Sequence, residues 1–199
     1  MSSKTLETQK KILEAALELL EANSDRRQAV RMSDIANAAG VSRQAVYLHF
    51  ATRAELLVAA TRYLDERNDS DARLAPSRTA SSGTERLDAF IDAWGSYIPE
   101  IYGVAKALLA MSETDGAAAD AWTGRMQAMR QGCEAAINAL AADDNLSPEH
   151  TPEQAADILW TLLSVRNWEQ LTQECGWSQS KYQKTQKRLA HQLFVTIDA

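Results

Sequence analysis

The chain is poor in everything that interrupts a helix. Its 199 residues include only 4 prolines and 8 glycines, while Ala, Leu, Gln and Glu recur throughout, a balance that favours an all-α architecture. Cysteine is nearly absent. Cys133 and Cys175 stand far apart with no CxxC partner, which excludes a disulfide framework and a cysteine-rich zinc site, and leaves two reduced thiols acting as small hydrophobes. The three histidines, His49, His150 and His191, are dispersed. No HExxH, paired-carboxylate or phosphate-loop signature accompanies them, and no Glu-x-x-His pair points to a di-metal site. Catalytic residues, metal ligands and cofactors are therefore not expected. No run approaches about 20 apolar residues, so no membrane span is implied. The opening Met-Ser-Ser-Lys-Thr-Leu-Glu lacks the apolar core of a signal peptide, and a cytoplasmic location is expected.

What is present is a hydrophobic content of 45% and a charged content of 24%, ordinary for a soluble body with a real core. The net charge of −6 argues against nucleic acid as a partner, but its distribution is uneven. Through Tyr63 nine Lys/Arg face seven Asp/Glu, so the acidic excess lies entirely beyond that point. A small local surplus on an acidic chain suits anion binding through a limited surface.

Apolar spacing of three and four residues predicts about nine helices. The first runs from about Thr5 to Asn23 on Ile12, Leu13, Ala16, Leu17 and Leu20, followed by a charged loop from Ser24 to Ala29. A short helix covers Val30 to Ala39 and ends at Gly40, where a left-handed residue is expected. Ser42 caps a second short helix to about His49. Thr52 and Glu55 form a capping box for a further helix to about Asn68. Residues 69–83 are polar, small and proline-containing, which reads as a linker between a domain at 1–68 and a domain at 84–199. Beyond it Leu87, Phe90, Ile91, Trp94 and Ile98 keep helical spacing until Pro99 interrupts. A shorter helix carries Ile101, Leu108 and Leu109. After Asp115-Gly116 comes a long helix with Trp122, Met126, Met129, Cys133, Ile137 and Leu140. Thr151-Pro-Glu-Gln opens a helix to about Glu174, stopped by Gly176. The last helix, Ser178 to Thr196, presents Tyr182, Leu189, Leu193 and Ile197.

One stretch carries chemistry: Ser33-Asp-Ile-Ala-Asn-Ala-Ala-Gly-Val-Ser-Arg-Gln-Ala-Val-Tyr-Leu-His-Phe50. Two short helices joined by Gly-Val-Ser form a helix-turn-helix, whose second helix is free to enter a major groove with its N-terminal residues nearest the bases. Exposed positions on it are Arg43, Gln44, Tyr47 and His49. Ala45, Val46 and Phe50 hold it to the first helix. Arg43 can fork onto guanine and Gln44 can pair with adenine. Tyr47, His49 and Arg53 suit phosphates, and Thr52 adds a backbone N–H at a helix start.

Ile-Ala-x-x-Ala-Gly-Val-Ser, then Val-Tyr-x-His-Phe, Arg53 and Leu56-Leu57, resembles the signature of the tetracycline-repressor (TetR) family over about a quarter of the chain. The resemblance implies a homodimeric transcription repressor that sets two recognition helices into successive major grooves of a pseudo-palindromic operator, and a divergent helical domain whose pocket binds a small-molecule inducer. Ser33, Arg43, Gln44, Tyr47, His49 and Arg53 match positions at which the family touches DNA, with Ser42 and Thr52 beside them. Two departures stand out: Arg31 and Met32 occupy places where Thr is usual, and the preceding loop lacks the usual Gly-aromatic pair.

In the C-terminal two-thirds, Trp94, Tyr97, Tyr102, Met111, Trp122, Met126, Met129 and Trp160 are candidates to line an apolar effector pocket. The same stripe at helical spacing also suits plain core. The helices at 152–174 and 178–198 are the expected dimerisation pair, with Leu163, Trp168, Leu171, Trp177, Tyr182, Leu189 and Leu193 as interface candidates. Two other classes stay open at this point. One is a DNA-binding regulator without a small effector, controlled by a protein partner or by cysteine oxidation. The other is an all-α enzyme, for which no motif speaks.

Overall fold

The structure, a computed structural model, describes residues 3–24 and 29–196. Among these residues ten α-helices succeed one another: α1 Ser3–Ala22, α2 Met32–Ala38, α3 Arg43–His49, α4 Arg53–Arg67, α5 Ser70–Arg78, α6 Gly83–Met111, α7 Gly116–Ala142, α8 Pro152–Leu162, α9 Val165–Glu169 and α10 Gln179–Phe194. A π-helical turn, Gln170–Glu174, follows α9, and one antiparallel bridge joins Leu146 to Val195. The all-α reading stands. Residues 25–28 of the expected loop and Ile197 lie outside the described residues.

Two compact units emerge, Met1–Asn68 with Ile101–Arg125, and Asp69–Glu100 with Met126–Ala199. Unit 1 packs the apolar stripe of α1 (Ile12, Ala16, Leu17, Leu20) with Ile35 of α2, Val46 of α3, and Leu56, Leu57, Ala60 and Leu64 of α4, all buried. Polar links reinforce it: Tyr63 donates to Glu14 at 3.0 Å, and Arg125 grips Asp65 with both nitrogens. Unit 2 buries Phe90, Ile91, Ile98, Cys133, Ile137, Leu140, Leu159 and Phe194. Here Gly132 matters for space. A Cβ on it would stand 2.6 Å from the tip of the Phe90 ring, so the missing side chain gives that ring its place between α6 and α7.

Three sequence expectations fail, each for a physical reason. The expected linker at 69–83 is helical over Ser70–Arg78, with Pro76 inside it. Ser77 ties that helix down by donating to the Arg86 carbonyl at 3.0 Å. Pro99 does not interrupt its helix, because α6 runs unbroken from Gly83 to Met111. Proline has no N–H to give the carbonyl four residues back, which strands the Gly95 oxygen. Gln179 Nε2 supplies the missing donor. Its Oε1 accepts from the Trp168 indole N–H at 2.9 Å, so one amide serves two groups.

The third failure is the helix expected over 152–174, which breaks at Leu163 and restarts where Ser164 Oγ accepts from Asn167 N at 3.2 Å. The carbonyls released by the break are recaptured. Leu163 O takes the Trp94 indole N–H at 2.6 Å, and Leu162 O takes Asn167 Nδ2 at 3.1 Å. Released carbonyls inside a core must find donors, and each of these finds a side chain from another turn.

Replacing Gln179 by Leu removes the donor to Gly95 and the acceptor for Trp168 while keeping the volume. We expect unfolding in urea to show a loss of about 1–3 kcal/mol, the usual cost of stranding a buried polar group. An unchanged midpoint would show that water replaces both bonds.

Candidate nucleic-acid interface

The interface candidate is built by α2, α3 and the start of α4, all in unit 1. At the entry to α2 no Thr cap is present. Instead Arg31 N donates to the Asp34 carboxylate at 3.3 Å, so an acid in the first turn does the work the sequence seemed to lack. Ala39 closes α2, and Gly40 turns the chain at φ +64 with open space around it. Ser42 then caps α3, its Oγ accepting from Ala45 N at 3.1 Å. Thr52 caps α4 in the same way through Glu55 N at 3.1 Å, while the Glu55 carboxylate accepts from Ala51 N at 3.0 Å. Each short helix thus has its own start signal, which a seven-residue helix needs because its internal hydrogen bonds are too few to fix it.

Within α3 only Val46 is fully buried. Arg43, Gln44 and Tyr47 are exposed, His49 and Ser33 half-buried, and Ser42 and Thr52 exposed. Arg43 Nη2 donates to the Tyr47 hydroxyl at 3.5 Å and its guanidinium lies 5.6 Å from that ring. The hydroxyl oxygen raises the Arg43 pKa further, so the charge is permanent. Arg43, Gln44 and Tyr47 therefore form one contiguous polar face at the open side of the recognition helix. Leu48 was missed by the sequence reading. It is 81% exposed, one turn beyond Gln44, and its position on that stripe was the available signal. A leucine side chain there can meet a thymine methyl, a contact polar residues do not offer.

Arg53 departs from the expected phosphate role. Its Nε donates to the Val30 carbonyl, and Nη1 reaches both Asp115 oxygens at 2.6 and 2.7 Å. Nη2 is buried without a partner. The side chains are only 20% and 13% exposed, so the guanidinium is turned inward rather than offered to DNA. Asp115 in turn accepts from Ala118 N at 3.2 Å at the start of α7. Partial burial pushes the Asp115 carboxyl up, but the hydrogen bonds from Arg53 and Ala118 and the Arg53 charge outweigh it, leaving the pKa below the ordinary value.

Residues 12–60 match the family model for bacterial regulatory proteins of the tetR family. That segment carries a helix-turn-helix of the TetR type. The HTH-type transcriptional regulator CymR of Pseudomonas putida is 28% identical over 175 residues, covering 83% of this chain and 79% of that protein. A crystal structure of a transcriptional regulator from Saccharomonospora viridis in complex with choline superposes with TM-score 0.72 at 19% identity, over 95% of this chain and 98% of that one. A TetR-family transcriptional regulator from Rhodococcus sp. superposes with TM-score 0.71 at 24% identity, over 94% and 98%. These likenesses extend the shared fold through both units, well past the helix-turn-helix that the motif covers.

The remaining TetR-type expectations divide between the units. Of the apolar effector set, Tyr102, Met111 and Trp122 fall in unit 1, while Trp94, Tyr97, Met126, Met129 and Trp160 fall in unit 2. Trp94 and Tyr97 are buried and meet edge to face at 6.3 Å. Among the interface candidates, Leu163, Trp168 and Tyr182 are 0%, 5% and 0% exposed within the single chain. They cannot offer a surface to a second copy, because α8–α10 turn them inward against their own unit. Leu171, Trp177, Leu189 and Leu193 remain half-exposed. Among the described residues no helix is long and apolar enough to cross a membrane.

Asp115→Asn keeps the shape but halves the ion pair. We expect a loss of about 2 kcal/mol at neutral pH, in the range for hydrogen bonds to charged groups in partly buried pairs. The sign with pH comes from the lowered folded-state pKa. The stabilisation is complete above the ordinary carboxyl value near about 4 and disappears as pH falls through the lower folded value. The gap between parent and variant in urea should therefore be constant from neutral pH to about pH 5 and close below it. A gap that persists in acid would assign the effect to packing.

Proposed function

We propose that the chain is a homodimeric transcription repressor that binds a pseudo-palindromic operator through α3 and is released by a small molecule bound in unit 2. The observation that carries this reading is the exposed face of Arg43, Gln44 and Tyr47 on a helix held by the Ser42 cap and by buried Val46. Arg43 forks onto a guanine, Gln44 pairs with an adenine, and Tyr47, His49, Ser33, Ser42 and Thr52 hold phosphates. Dimerisation through Leu171, Trp177, Leu189 and Leu193 of two copies would set two α3 helices one helical turn of DNA apart, about 34–36 Å. The effector takes its apolar contacts from Trp94, Tyr97, Met126, Met129 and Trp160. That a fold neighbour was crystallised in complex with choline supports a ligand-responsive reading. The work is done in the cytoplasm, where the DNA is.

Control by Cys133 is disfavoured, because burial pushes its thiol up to about 12 and leaves almost no thiolate.

The test begins with DNA selected from a random pool by the full chain. Parent, Arg43→Ala and Gln44→Ala are then titrated by fluorescence anisotropy against the selected sequence and a scrambled one. Each substitution should cost about 1–3 kcal/mol on the selected DNA and little on the scrambled one. Selection of no sequence, or equal losses on both DNAs, would remove base reading from these residues.

A further inference from the structure

Unit 2 contains two polar atoms that its own packing leaves without partners. Tyr182 and Gln186 stand one turn apart on the buried stripe of α10, 0% and 1% exposed. The Tyr182 hydroxyl and the Gln186 Oε1 are buried with no hydrogen-bond partner. Four other polar side chains of α10 are well supplied. Gln179 serves Gly95 and Trp168, Gln183 donates to the Asp92 carbonyl at 3.4 Å, Lys187 meets the Asp92 carboxylate at 2.9 Å, and His191 meets Asp88 at 2.7 Å. These bonds tie one flank of α10 to α6, while Ala190 and Phe194 continue the stripe of Tyr182 and Gln186 inward.

Phenylalanine and methionine would fill the same two volumes without stranding any polar group. Retaining a hydroxyl and an amide oxygen there therefore weakens the fold, unless something else uses them. Tyr182 and Gln186 share unit 2 with Phe90, Trp94, Leu159 and Leu163, all buried. Burial also pushes the Tyr182 hydroxyl far above its ordinary pKa, so it is a neutral donor at any physiological pH. The Gln186 Oε1 can only accept.

We propose that Tyr182 and Gln186 are the polar anchors of the effector site, and that the effector is a compact apolar molecule bearing one neutral group that both accepts and donates, such as a phenol hydroxyl or a primary amide. The Tyr182 O–H donates to the acceptor atom of that group, and the group gives its own N–H or O–H to Gln186 Oε1. A carboxylate fits poorly, having no proton for Gln186, and a pure hydrocarbon satisfies neither atom. The assignment rests on the reading that unit 2 binds the releasing molecule.

Full-length parent, Tyr182→Phe, Gln186→Met and the double variant test it, with 4-ethylphenol, benzamide and ethylbenzene as probes. Binding is followed by tryptophan fluorescence, release by anisotropy on the selected DNA, and stability by Tm without probe. The parent should bind 4-ethylphenol and benzamide at least about tenfold more tightly than ethylbenzene, and the two should release DNA. Each variant should lose that preference by about tenfold while its affinity for ethylbenzene and for DNA stays at the parent's. Its Tm without probe should be equal to or above the parent's. Failure of the polar probes to saturate the parent, a preference that survives in the variants, or a Tm that falls in either single variant would overturn the proposal. Sequence-specific DNA binding by the parent in those same samples would show that the anchors alone are wrong. Its absence would sink the repressor reading itself.

Discussion

The ion pair between Arg53 and Asp115 is the constraint on which unit 1 most depends. One guanidinium reaches the carbonyl of Val30 just before α2, stands at the first position of α4, and holds a carboxylate that itself caps α7. Three chain segments meet at that one side chain, Val30 lying 23 residues before Arg53 and Asp115 62 residues after it. Arginine is suited to this by its fixed fork of donors, which a lysine could not reproduce. A pair this enclosed contributes mainly by fixing geometry, since removing either partner leaves the other charge unpaired in a dry place. The helix-turn-helix is clamped at both its ends as a result: at Val30 before α2 and at Arg53 after α3.

That clamp explains how so small a reading element can be rigid. With α3 only seven residues long and one side chain fully buried, the helix cannot hold its own direction by packing. It is held instead by its cap at Ser42, by the turn at Gly40 and by the anchored start of α4 just beyond Phe50. Recognition of bases demands that Arg43 and Gln44 arrive at a set angle, and an angle is what the flanking clamp supplies. The same placement gives α6 and α7 a physical hold on α4, because Asp115 lies in the turn between them.

Legibility from sequence tracks the range of the interaction. The two short helices, Gly40, Ser42 and the Thr52–Glu55 start were all readable, because each is written within about four residues. Arg43, Gln44 and Tyr47 were readable as an exposed face for the same reason. Arg53 was misread because its motif position suggested phosphate, whereas its partner lies across the unit. Pro99 and Leu163 were misread in opposite directions. A proline looked like a stop but is tolerated because Gln179 covers the stranded carbonyl, and an apolar run looked continuous but breaks because Ser164 and Trp94 make the break cheap. Leu163, Trp168 and Tyr182 looked like interface residues because spacing marks a buried stripe without saying which body buries it.

These misreadings share a cause that also bears on how such a chain can be responsive. At three points where the backbone of unit 2 departs from regular helix, a side chain supplies the missing bond: Gln179 at Gly95, Trp94 at Leu163, Asn167 at Leu162. Each repair is local, and each has a competitor in any molecule that brings its own donor. A core repaired by single side chains offers discrete alternative pairings at small cost, whereas a core of uninterrupted helices offers none. Two conformations of similar free energy are what a ligand needs to shift a population. The irregular stretches around Gly95, Leu163 and the π-helical turn are thus the part of the fold best placed to hold a second arrangement, and the unpartnered Tyr182 and Gln186 stand on the helix that packs against them.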